Sequence, residues 1–301
     1  MFRFAIETYE ELRDGVVRNF QEQFNYITHQ AEIPETIDIS VHEIRKSFKR
    51  IRAVLRLIRG DIGEELYHSE NRKFRDLSRS LSNLRDYHVI ICDLAERFEA
   101  EELLIPESRF IQFINHLNDK KELEYQHLID TKAMDTIRNT LEQSQVDVQS
   151  YDLSRLGPHT IETGVKRIYE NCLKHIEKAQ NELTDSSLHD LRKCTKYLLY
   201  QMQLVEEVWP DYFNNYSKAL KEATDLIGDD HNLVEEITII NSMPENLLPQ
   251  VDKEKLTDAL NKERQQLHEE TWQLMGKIFT EDPDSFIKRV NSYWLLGRQT
   301  G

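Results

Sequence analysis

Eighteen consecutive residues, HEIRKSFKRIRAVLRLIR from His42 to Arg59, hold seven Lys or Arg and a single acid, Glu43. At about 100° per residue, His42, Arg45, Lys46, Lys49, Arg52 and Arg56 fall in one stripe roughly 120° wide. Ile44, Phe48, Ile51, Leu55 and Ile58 fall on the opposite side, so one face packs and the other presents positive charge. From His42 to Arg56 the stripe is about 21 Å long at 1.5 Å per residue, which suits an extended anion better than a small one. A solvated charged face would mix signs and pair them at i,i+4; here like charges repel along the helix, at a cost that a polyanionic partner relieves.

Ser40-x-x-Glu43 has the form of a capping box, and Ser187-x-x-Asp190 is an acidic version of it in the second half. Each would put a His, His42 or His189, at the second helical position, where free N–H groups and the helix dipole favour an anion. Protonation of the two histidines is then expected to tighten anion binding as pH falls towards about 5.5. Further bases are Arg72, Arg75 and Arg79, at i, i+3 and i+7, with His68 on the same side. The second half supplies a thinner stripe, His189, Arg192, Lys193 and Lys196, with Tyr197 and Tyr200 alongside; Lys166, Arg167, Lys218 and Lys221 could join from neighbouring helices. Asp76, Asp86 and Asp229 stand among these bases as groups that orient Arg side chains, and they are the candidates if the site were instead a phosphohydrolase.

Helices must carry these residues. With nine Gly and seven Pro in 301 residues, breakers are rare and elements are long. The pattern predicts helices over about residues 6–30, 41–59 and 64–100, with Pro34 in the first linker, and a fourth after Pro106 with a break near Asn118 and Asp119. After a loop at 151–158, helices follow Pro158, Thr184–Ser187 and Trp209–Pro210. Another begins near Val251, and a short one follows Pro283. Gly15-Val16-Val17-Arg18 parallels Gly164-Val165-Lys166-Arg167, and Ser40 to Lys46 parallels Ser187 to Lys193. The expectation is an all-α chain of two pseudo-symmetric four-helix-bundle repeats, residues 1–150 and 151–301, joined in one domain.

The net charge of −15 argues against polyanions, but the average misleads: from His42 to Arg85 there are twelve Lys/Arg against six Asp/Glu, a basic surface on an acidic protein. No apolar run is long enough to span a bilayer, and the acidic start is unlike a signal peptide. The three cysteines, Cys92, Cys172 and Cys194, read as reduced cytosolic thiols buried as core residues. There is no Gly-rich phosphate loop, GxSxG, HExxH or CxxC, so no cofactor, metal or catalytic residue is expected. Acidic runs such as Glu99 to Glu102 read as solvated helix faces. Nucleic-acid binding is not expected either, because neither a known module nor exposed aromatics accompany the bases. A scaffold recruiting proteins through acidic surface is the remaining alternative.

The motif His42-x-x-Arg45-Lys46-x-x-Lys49-Arg50-x-Arg52, followed by Tyr67, Asn71, Arg75-Asp76, Arg79 and Leu84-Arg85-Asp86, resembles the CHAD domain, the conserved histidine α-helical domain. His189-x-x-Arg192-Lys193-x-x-Lys196-Tyr197 is similar to that family's second repeat. The resemblance implies two helical bundles about a pseudo-two-fold axis and a central basic channel for inorganic polyphosphate, without catalysis, in a cytoplasmic protein that in some members associates with polyphosphate granules. It implies contacts from the bases of the two stripes and from Arg72, Arg75 and Arg79. Tyr197 standing where the first half has Arg50, and Gly228 near where it has Arg85, imply weaker binding in the second half.

Overall fold

The computed structural model describes residues 3–32, 36–100 and 105–299. Pro34, Glu101 and Glu102 lie outside the described residues. Among those described there are twelve α-helices, one short 3-10 turn and no strand. The first half contains α1 (Leu12–Glu32), α2 (Ile37–Leu57), α3 (Arg59–Ile62), α4 (Glu64–Arg79), α5 (Ser82–Glu99), α6 (Glu107–Asp130) and α7 (Ala133–Ser150). The second contains α8 (Pro158–Glu182), α9 (Asp185–Leu204), α10 (Pro210–Ser242), α11 (Gln250–Ile278) and α12 (Pro283–Gly297). No helix among these residues is long and apolar enough to cross a membrane.

The basic helix α2 is apolar on its other side. Val41, Ile44, Phe48, Ile51, Leu55 and Ile58 are buried, and Phe48 and Phe74 continue a line of rings from Phe20 and Phe24 of α1. This core runs without interruption into Ile161, Val165, Tyr169 and Phe286 of the other half. The halves are fused along α2, which packs on α8 and α9. Gly164 makes the α2–α8 crossing feasible: a Cβ there would come within 2.4 Å of the Leu57 carbonyl oxygen. A second apolar cluster joins α5 and α6 to α10 and α11, through Ile90, Leu94, Phe113, Leu233 and Ile240.

Helices α8, α10 and α12 begin where Pro158, Pro210 and Pro283 indicate, and α11 begins at Gln250, close to the expected Val251. Three expectations are corrected. First, residues 64–100 form two helices. The chain turns at Ser80–Leu81 so that Leu81 enters the core, and the Arg45 guanidinium bridges the break, donating to the Ser78 carbonyl oxygen at 2.8 Å and to Ser82 Oγ at 2.6 Å. Second, α6 runs straight through Asn118, because Phe113, Leu117 and Leu128 keep one buried face; the break comes at Lys132, whose φ is 50°. Third, Ser40 and Ser187 are not N-caps. Helix α2 starts at Ile37 with Asp38 in its first turn, which leaves Ser40 inside the helix and buried. In α9 the cap is Thr184, whose Oγ1 accepts from the Ser187 N–H at 3.2 Å while Ser187 Oγ accepts from the Thr184 N–H at 3.1 Å. His42 and His189 therefore sit past the first turn, where backbone N–H groups are already bonded within the helix. The helix-terminal anion site expected at these histidines is absent.

Candidate functional site: a basic cluster between α2, α4, α5 and α9

The stripe of α2 faces the stripe of α9. Lys49 is the point of contact, within electrostatic reach of Arg192 and Lys196 on α9, of Arg45 on its own helix and of Arg85 on α5. Burial pushes its ammonium down to about 7, and the four surrounding cations push the same way. Lys196 is pushed down to about 8, by burial first and then by Arg192, although Asp225 opposes the shift. Lys49, Arg85, Arg192 and Lys196 each lack a carboxylate within 4 Å among the described residues, as do Arg45, Arg52 and Arg56. The remaining stripe members, Lys46 and the half-exposed His42, share Glu43, at 3.3 and 3.8 Å.

The lower end of the stripe is organised by neutral groups. Asn71 Oδ1 on α4 accepts from Arg52 Nε at 3.0 Å and from Arg56 Nη1 at 2.9 Å. Tyr197 of α9 lies under both guanidinium groups, with its centroid 3.7 Å from Arg56 Cζ and 5.8 Å from Arg52 Cζ. A planar cation stacked on a ring and forked onto an amide is held in place without being neutralised. Arg75 adds to this end, since its charge reaches Arg52 while its Nε donates to Asp76 at 2.9 Å. Arg72 and Arg79 are exposed on α4, and together with Arg75 they hold the Asp76 carboxyl below the usual carboxylate range.

Other expected residues lie elsewhere. Arg50 points to the edge of the stripe, its guanidinium 5.1 Å from the Phe4 ring. Lys166 turns from α8 towards α12 and pairs with Asp284. Arg167 lies beside Gly60, past the end of α2, near Glu64. Lys193 is exposed and bonded to Asp190 at 3.1 Å. Lys221 is paired with Asp225, within reach of Lys196, and Lys218 is exposed on α10. His189 lies against His231 of α10, ring centroids 4.9 Å apart and planes tilted by 44°, and its imidazolium is pushed down to about 4 by burial and then by Lys193, His231 and Arg192. The His42 imidazolium is likewise lowered, by burial and then by Arg85. The free protein therefore keeps His189 short of its proton at pH 5.5, contrary to the expectation from its ordinary value, and His42 holds its proton less readily than its ordinary value implies.

Two cluster residues were not among the contacts expected from the sequence, although Arg85 stands in its motif. On one unbroken helix, Arg85 would lie roughly 80–140° away from the Arg72, Arg75 and Arg79 stripe; the break at Ser80–Leu81 turns it towards His42, Arg45 and Lys49. The second is His231. Gly228, read as a lost base, has a positive role: a Cβ there would lie 2.8 Å from Arg192 Nη2, so glycine leaves the room that the guanidinium occupies.

The carboxylates divide. Asp86 lies near Arg45, Glu235, His231 and Arg85, while Asp229 lies near Asp225, Asp93 and Arg192; partial burial raises both carboxyls above their ordinary range. Among the described residues no group of three or more His, Cys, Asp or Glu side chains is arranged to hold a metal ion. The chemistry on offer is an array of unpaired, positionally held cations drawn from α2, α5 and α9.

Comparison with known proteins gives a family and a fold. The family model described as CHAD domain matches residues 20–241. The crystal structure of the CHAD domain from the plant Ricinus communis is similar, with a TM-score of 0.56 at 16% identity, covering 97% of this chain and 95% of that one. A search of curated proteins gives no match.

Proposed function

The chain belongs to the CHAD domain family, and we propose that it binds inorganic polyphosphate, without catalysis, in a basic groove between its two halves. The observation that carries this reading is the set of seven cations, Arg45, Lys49, Arg52, Arg56, Arg85, Arg192 and Lys196, that have no carboxylate within 4 Å among the described residues of a chain with net charge −15. Elsewhere acids are plentiful and pair readily, as in Arg18 with Glu10 and Arg59 with Glu64. Leaving a cluster unpaired in such a chain costs stability unless an anion from outside completes it. Forked Arg groups fixed by Asn71 and Tyr197 suit phosphate oxygens, and Lys49 and Lys196 supply mobile charge. The length of the stripe favours a chain of phosphates over a single one, and the family resemblance supports polyphosphate as that chain.

The repeats belong to the same reading. Helix α1 packs on α2 and α7, and α8 packs on α9 and α12. We take residues 1–150 and 151–301 as products of a duplication that brought two basic helices together. We also assign the protein to the cytoplasm, in association with polyphosphate granules.

Titration with long polyphosphate, orthophosphate, RNA and heparin at two salt concentrations tests the proposal. Long polyphosphate should bind much more tightly than orthophosphate and lose affinity steeply with salt, as released counterions require. Equal affinity for orthophosphate, or a flat salt response, overturns it. Release of orthophosphate from polyphosphate in the presence of Mg²⁺ would replace it with a hydrolase built on Asp86 and Asp229.

A further inference from the structure

Two thiols outside the basic cluster touch each other. Cys172 lies on α8 and Cys194 on α9, both are buried, and both are free. Their sulfurs are 2.8 Å apart, closer than ordinary contact between unbonded sulfur atoms. The Cys172 S–H donates to the Cys194 sulfur, and the Cys194 S–H donates to the Ile168 carbonyl oxygen at 3.4 Å. Neither side chain reaches a charged group of the anion site, and no cofactor chemistry claims them. Apolar packing would explain one buried cysteine on each helix, but it does not require the two sulfurs to meet.

We infer that Cys172 and Cys194 are a redox modification site, two thiols in the reducing cytoplasm that form an intramolecular disulfide clipping α8 to α9 when oxidised glutathione accumulates. Two thiols give up two protons and two electrons as the S–S bond forms. A small disulfide such as oxidised glutathione takes them up through a mixed disulfide and leaves as two thiols. The attacking species is a thiolate, and burial holds the Cys172 thiol well above its ordinary value, so surface oxidants act slowly on the folded protein. Oxidation therefore proceeds during folding or when α9 lifts from α8, and the bond is shielded once made. The clip ties down the helix that carries Arg192, Lys196 and Tyr197, so it steadies the second-half wall of the cluster.

The test uses the full chain carrying Cys92→Ser, which removes the exposed thiol and leaves the pair. The protein is refolded from denaturant in a buffer of reduced and oxidised glutathione, then examined by intact mass and by thiol titration in denaturant. The expected result is loss of the mass of two hydrogen atoms, no titratable thiol, and a melting temperature about 5 °C above that of the same protein after reduction. Two titratable thiols, or glutathione retained on either cysteine, overturns the inference. Cys92→Ser with Cys172→Ser supplies the second check. Its melting temperature should not respond to reduction, and a response of the same size would mean that the shift came from elsewhere.

Discussion

Two polar clusters meet α9, and they differ in where their counter-ions come from. At the start of α9, buried Asp230 of α10 accepts from Arg264 Nε at 2.7 Å and from His268 Nε2 at 2.9 Å, both on α11, while Arg264 reaches Asp185 at 2.6 Å. Every charge there has a partner from another element, and the network ties α9, α10 and α11 together. Further along, the same helix offers Arg192 and Lys196 to Lys49 and Arg85, with no carboxylate within 4 Å of any of them among the described residues. The first cluster is finished by folding. In the proposed function, the second is finished by an anion from solution. A buried ion pair that loses one member leaves the other uncompensated, whereas a cluster that loses one of several like charges is relieved.

The sharpest way to break this comparison is to remove one charge from each cluster. Asp230→Ala should destabilise the protein by about 3–5 kcal/mol, since it strands Arg264 and His268. Burial alone would raise the Asp230 carboxyl, but the hydrogen bonds from His268 and Arg264 outweigh it and hold the group below its ordinary value. A depressed carboxylate contributes stability above the unfolded-state value, about 3.9, and that contribution is lost as pH falls through the folded-state value. Chemical denaturation near neutral pH should therefore show the full loss for the variant. A loss below 1 kcal/mol would mean that the network contributes little to folding.

Lys49→Glu combined with Lys196→Glu should have the opposite signature. The free protein should melt no lower than before, because like-charge pairs cost a few tenths of a kcal/mol each and the new acids meet Arg45, Arg85 and Arg192. Polyphosphate affinity should fall about a hundredfold, two charge-assisted contacts at roughly 1.5 kcal/mol each, and stabilisation by polyphosphate should disappear with it. If the free variant unfolds, the basic face is structural and the proposed groove is wrong. Leu55→Ala, on the buried side of the same helix, should cost about 2–5 kcal/mol whether ligand is present or not.

The two clusters were not equally legible in the sequence. The α2 stripe and its apolar back follow from a 3.6-residue period, because a helix imposes that period whatever it packs against. Pro158, Pro210 and Pro283 acted locally, and the starts of α8, α10 and α12 were read correctly. The start of α2 was not, because Ser40-x-x-Glu43 imitates a cap while Thr36-Ile37-Asp38 begins the helix a turn earlier. Arg85 stood in the motif but not among the expected contacts, because its direction depends on a break at Ser80–Leu81 that tertiary burial imposes. Lys166 was expected near the stripe and found on Asp284, and the Asp230 network went unseen; both depend on contacts between residues far apart in the chain, which a periodicity cannot register.

The pH response separates the groups within the basic cluster. In the free protein Lys49 loses its proton near 7 and Lys196 near 8, against about 10.4 in an unfolded chain. The folded state thus binds fewer protons than the unfolded one, so these two groups cost the free protein stability progressively as pH falls from about 10 to about 7. A bound polyanion restores their ordinary values, and binding must then take up protons in that window. Affinity should rise by roughly two to three orders of magnitude as pH falls from 9 to 7. The histidines act lower and more weakly. His189, near 4 when free, is drawn up towards its ordinary range by a neighbouring phosphate, and His42 is drawn up with it. A second rise of a few fold should follow between about pH 6.5 and 4.5. His42→Gln with His189→Gln should remove that second rise and leave the first intact, in titrations at constant ionic strength. If the double variant keeps the lower rise, the histidines do not face the ligand. If it loses the upper one, Lys49 and Lys196 are not the groups that take up protons, and the pairing of α2 with α9 in one binding face has to be redrawn.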